Sequence, residues 1–170
     1  AVQTQGRNWH VDMTWMRTQT DSNKNGGVDY DFFGIDLGYI AELPFGEGHY
    51  HLVGLTTSND FEDRNKADRH ASIHGLSLSM DQTIGDGFAI FMRTGWSNED
   101  ASELVHDALY SGGFQVDGHR FSVPKLVAGV GYAYLDGAGS QPGDIRHTRV
   151  FETYARYPLT QFSDISADVQ

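Results

Sequence analysis

At 170 residues, without cysteine and with 23 Asp plus Glu against 12 Lys plus Arg, the chain has the length of one domain and a net charge of −11. The acidic balance excludes a nucleic-acid partner bound through clustered basic charge, and the missing thiols exclude disulfide frameworks and thiolate metal sites. No apolar run approaches the roughly 18 residues that mark a transmembrane helix, so any membrane reading must rest on strands.

The first element has a period of two. Trp9, Val11, Met13 and Trp15 alternate with His10, Asp12 and Thr14, which predicts a strand. The stretch "DSNKNGGVDY" follows, with Asp21, Asn23, Asn25 and Asp29 spaced like the ligands of an EF-hand loop. Its twelfth position is Phe32, where an EF-hand needs a bidentate Glu, and neither flank is a helix. The stretch reads as a polar connection between strands, its Asp and Asn residues favouring turns. Asp21, Asn23, Asn25 and Asp29 keep weak surface calcium binding as a secondary reading, and no other metal or cofactor is expected. Beyond it, Phe33, Ile35, Leu37, Tyr39, Ala41 and Leu43 share one face of a long strand, opposite Phe32, Gly34, Asp36, Gly38 and Glu42. His49-x-His51 then puts two imidazoles on one strand face. The cupin pattern that such a pair suggests fails, because Leu43, Leu55 and Thr56 stand where its Gly and Glu belong.

Continued to the C-terminus, the alternation predicts nine strands, at roughly 8–18, 29–43, 48–58, 72–83, 87–97, 108–118, 124–135, 147–157 and 161–170. Long connections such as "NDFEDRNKADRHA", "SNEDASELVHD" and "DGAGSQPGDIRH" alternate with shorter ones such as "PFGE", "IGDG", "GHRFSVP" and "PLTQ". Outer-membrane barrels sort their loops this way, short on the periplasmic side and long outside, and their strands need about 9–11 residues to cross. The fold expected is all-β, an antiparallel transmembrane β-barrel. Leu76, Leu78 and Met80 oppose Ser77, Ser79 and Asp81, and Phe151, Ala155 and Tyr157 oppose Glu152, Tyr154 and Arg156. Lipid would take the apolar set and a watery interior the polar one. Trp9, Trp15, Tyr39, Trp96, Tyr110 and Tyr134 are candidates for interfacial girdles. A soluble carbohydrate-binding sandwich or barrel inverts this polarity, and alternation by itself does not separate the two.

"HGLSLSMDQTIGDGFAIFMRTGW", residues 74–96, resembles a signature stretch of the carbohydrate-selective porins of the OprB family, whose members have Gly-x-Ser-hydrophobic-Asp-Gln, a short turn, then an aromatic and Arg before Gly-Trp. "FETYARYPLTQFSDISADVQ", 151–170, resembles that family's penultimate hairpin, with Ala167 where the family has Pro, and "GHYHLVGL", 48–55, is a weaker match. The resemblance implies an outer-membrane porin for passive, sugar-selective diffusion, with about 16–18 strands around an aqueous channel. On this reading residues 1–170 are one barrel segment, a fragment lacking the N-terminal half and the last strand. The competing account is a small closed outer-membrane barrel without transport.

A sugar channel wants carboxylates, Arg and amides as hydrogen-bond partners and aromatic faces for stacking. The expected channel lining is Asp36, Asp81, Arg93, Gln115, Asp117, Glu152 and Arg156. Arg93 and Asp81 lie on adjacent strands across a short turn, spaced to pair. The bland counterpart is a ladder of interior charges that holds the wall's shape. No catalytic residues are expected, since no Ser-His-Asp motif or phosphate-cradling glycine loop occurs. The expected partners are small sugars and outer-membrane lipid.

Overall fold

The structure, a computed structural model, describes residues 1–19, 29–58, 61–64, 66–98, 100–101, 104–123, 125–139, 145–160 and 163–170. Its strands are β1 (Val2–Gln5), β2 (Trp9–Gln19), β3 (Asp29–Leu43), β4 (Gly46–Thr57), β5 (Phe61–Asp63), β6 (Lys66–Ala71), β7 (His74–Thr83), β8 (Phe88–Ser97), β9 (His106–Asp117), β10 (Val127–Gly137), β11 (His147–Thr160) and β12 (Ser163–Val169). Among the described residues there is no α-helix, only a short 3-10 turn at Gly118–Phe121. Ten strands form one antiparallel sheet in the order β1-β2-β3-β4-β7-β8-β9-β10-β11-β12, while β5 and β6 pair with each other. The sheet is open, with β1 and β12 at its edges.

Two features depart from the nine strands expected. Val2–Gln5 adds a short strand on Met13–His10, and the connection after β4 contains the β5–β6 hairpin instead of an irregular loop. The hairpin's charges hide it from a periodicity reading. Burial explains it: Phe61, Ala71 and Ala101 close over one another, with Tyr30, Ile73 and Leu104 packed around them. An Arg64 Nη2 donor to the carbonyls of Ala101 and Leu104 ties the hairpin to the connection after β8. This small cluster sits among the long connections. Outside it no large hydrophobic side chain is buried among the described residues, as befits a wall one sheet thick.

Register lines up the faces. Trp15 pairs with Phe33, Met13 with Ile35, Leu37 with Leu52, Leu52 with Leu78, and Tyr132 with Phe151. Because side chains alternate strictly across a strand, these pairs run as one apolar face over the whole sheet. That face is the exposed one: Trp15 is 58% exposed, Phe33 48% and Phe151 56%. The polar residues between them, such as Asp12, Asp36, Ser77, Ser79 and Asp81, are half-buried. The apolar side therefore faces outward and the polar side is the more enclosed.

Charged and amide side chains on the apolar face lie where its strands end. Arg17 donates from Nε and Nη2 to Asp31 at 3.2 Å, one register step beyond Trp15 and Phe33. Trp96 Nε1 donates to the Tyr110 hydroxyl at 2.8 Å, and Arg149 lies 6.0 Å from the Tyr134 ring. At the opposite edge Gln82, 4% exposed, accepts from the Tyr50 hydroxyl at 2.6 Å and donates to the carbonyls of Gly46, Glu47 and Thr83. A buried amide needs such satisfaction, since each unmet group costs on the order of 1–3 kcal/mol.

Candidate functional site

The enclosed polar face is the candidate site, and its residues fall into rows set by cross-strand register. One row runs His10, Gly38, His51, Ser79, Arg93, Ser111. The next runs His49, Asp81, Phe91, Gly113, Gly131, Glu152. A third runs Ala89, Gln115, Gly129, Tyr154, Asp168. Asp36, Asp81, Arg93, Gln115 and Glu152 thus share one face although they come from five strands.

Their partners differ. Arg93 Nη2 donates to both carboxylate oxygens of Asp81 at 3.0 Å, diagonally across the β7–β8 pair. The same guanidinium lies 5.3 Å from the Phe91 ring centroid, so a phenyl ring, a cation and a carboxylate adjoin on the wall. The ring lies over Gly113, where an added Cβ would meet Phe91 Cζ at 2.5 Å. Gln115 accepts from the Tyr154 hydroxyl at 2.7 Å. Arg156 approaches Asp164 at 3.9 Å, an exposed pair near the short connections. Glu152 makes no ion pair among the described residues. Asp117 acts locally, its Oδ1 accepting from the His119 backbone N–H at 3.0 Å and capping the 3-10 turn. Of the loop residues considered for calcium, Asp21, Asn23 and Asn25 lie outside the described residues, and Asp29 is exposed at the start of β3.

The grouping that sequence reasoning missed is on β2–β4. The two histidines of His49-x-His51 part company: His49 Nε2 meets Glu47 at 3.0 Å, whereas His51 Nδ1 lies 3.1 Å from each oxygen of Asp36. His10, from β2, completes the set, with Nε2 3.5 Å from Asp36 and its ring centroid 5.2 Å from that of His51. Asp12 and Asp36 stand directly opposite each other, an unfavourable like-charge pairing, with His10 Nε2 3.5 Å from Asp36 and 3.8 Å from Asp12. Only the pairing of β2 with β3 and of β3 with β4 brings these residues together. A signal was present in the alternation, which puts His10, Asp12, Asp36 and His51 on polar positions, but the offset between strands was not.

The structure is similar to that of OccK11 (OpdR) of Pseudomonas aeruginosa, an outer-membrane porin, with a TM-score of 0.64 at 12% identity. The match covers 91% of this chain and 45% of that one, so the chain spans about half the porin's length. No protein-family model and no curated protein matches the sequence. At this identity the likeness speaks to fold: the sheet is built as a wall of a porin-type antiparallel β-barrel.

Proposed function

We propose that this chain forms part of the wall of an outer-membrane channel through which small sugars diffuse passively. The observation that carries the reading is the polarity of the sheet, with apolar side chains on the exposed face and polar ones on the enclosed face. A soluble barrel would enclose its apolar face. In a bilayer every backbone group must be paired within the wall, which a ten-strand meander with full neighbour pairing achieves along all but its edges. The porin-like fold and the OprB-like stretches at 74–96 and 151–170 support the same conclusion.

Sugar as the solute is favoured by the Phe91 platform beside the Asp81–Arg93 pair. A pyranose ring has a weakly apolar face and a rim of hydroxyls, which suits one aromatic surface flanked by a guanidinium and a carboxylate. Asp36, Gln115, Glu152 and Arg156 extend the hydrogen-bonding wall, while Asp117 holds a turn. Binding on such a wall stays weak, because a channel must release what it admits.

The test is swelling of liposomes containing the native-length protein, comparing glucose with an uncharged non-sugar solute of similar size. Faster glucose influx supports the proposal. Equal influx leaves a channel without sugar preference, and absence of swelling from folded, inserted protein overturns the channel.

A further inference from the structure

We infer that His10, Asp36 and His51 form a binding site for a single divalent transition-metal ion of the zinc type. Donor atoms of the three side chains, one from each, lie within 4.8 Å of one another. The separations measured, 3.1 Å from His51 Nδ1 to Asp36 and 3.5 Å from His10 Nε2 to Asp36, are those of ligands sharing an ion. Zn–N and Zn–O bonds of about 2.0–2.2 Å in a tetrahedron place neighbouring donors roughly 3.3 Å apart. Small adjustments therefore suffice to replace the direct hydrogen bonds by coordinate bonds.

The fold builds this pocket from three strands. His10 and His51 both lie opposite Gly38, and an added Cβ at Gly38 would collide with the His10 ring. The glycine is what lets the two imidazoles lean together over the middle strand, above the carboxylate supplied two residues earlier. A fourth group is at hand. Asp12 Oδ2 lies 3.8 Å from His10 Nε2, while Asp12 Oδ1 is shielded from solvent and accepts no hydrogen bond. Asp12 stands outside the three converging donors, and from 3.8 Å its carboxylate would steady the His10 ring and add negative charge next to the ion. The side chains of His10, Asp36 and His51 are 25%, 29% and 32% exposed, so an ion reaches them from the enclosed side of the wall.

Two imidazoles with one or two carboxylates suit Zn²⁺, Ni²⁺ and Cu²⁺. Mg²⁺ and Ca²⁺ want six or more oxygens and are poorly served by this set. The site does not depend on the channel reading, because it requires only the register of β2, β3 and β4.

Untagged native-length protein, folded in detergent and stripped with a chelator, is titrated with Zn²⁺ by calorimetry and with Co²⁺ by its d–d absorption. One equivalent of Zn²⁺, not displaced by equal Ca²⁺ or Mg²⁺, is the expected result. His10→Gln and His51→Gln each lower affinity at least tenfold, Asp12→Asn lowers it by roughly 10–100-fold, and His49→Ala leaves it unchanged. In the unaltered protein, Zn²⁺ protects His10 and His51 from diethylpyrocarbonate, read by mass spectrometry, and leaves His119 reactive. This arm decides the matter even where a variant fails to fold. Failure to bind Zn²⁺, binding that survives loss of both histidines, or protection that spares His10 and His51 overturns the site.

Discussion

On β2–β4 the space above Gly38 is filled by the imidazole of His10; on β8–β9 the space above Gly113 is filled by the phenyl ring of Phe91. Both glycines sit on the enclosed face, and both admit a ring from an adjacent strand. The fillers differ in what holds them. His10 is fixed by polar contacts to Asp36 and neighbours Asp12, whereas Phe91 lies as an apolar surface with Arg93 beside it. At these two glycines a ring lies against the backbone, among polar groups in one case and as an apolar surface in the other.

The largest expected effect separates the two gaps by rigidity. A methyl group at Gly113 would strike the Val130 backbone carbonyl as well as the Phe91 ring, while at Gly38 the three nearest atoms all belong to the His10 side chain, which yields more readily than backbone. Gly113→Ala should destabilise the fold by about 1–3 kcal/mol and Gly38→Ala by less, measured as urea unfolding midpoints in lipid vesicles. The reverse order would mean that the His10 arrangement is the stiffer of the two. Phe91→Ala comes next. It removes the Arg93 contact, worth about 0.5–1 kcal/mol, and should abolish any glucose preference in swelling while leaving general permeation intact. An unchanged preference would move sugar contact elsewhere on the wall. Last comes Tyr154→Phe, which loses only the hydroxyl bond to Gln115 and no packing. Water replaces that donor for a half-buried amide, so a loss of about 0.5–1 kcal/mol is expected from the same unfolding curves.

Much of the architecture was legible because a strand announces its two faces at a period of two. The nine predicted strands, from 8–18 through 161–170, recur in the sheet with shifted ends, as Trp9–Gln19 through Ser163–Val169. The short strand Val2–Gln5 has too few residues to show a period, and the β5–β6 hairpin is held in place by contacts to Ala101 and Leu104 that are distant in sequence. The Asp81–Arg93 geometry was within reach, since a short turn sets the register of β7 against β8. The His10–Asp36–His51 grouping was not, because its first link crosses the long connection between β2 and β3, which sets no register by itself.

What the amino-acid order determined alone is therefore local: extended backbone, one apolar and one polar face, and the shortest connections gathered at one edge, although residues 118–126 between β9 and β10 make a connection at that edge as long as residues 138–146 at the other. Tertiary structure decided which face is enclosed and which residues adjoin across strands. A slip of one residue would turn every side chain to the other face, and a slip of two would carry His10 off Gly38 and away from His51. Those offsets are set by packing and hydrogen bonding over the whole sheet, which no single strand encodes.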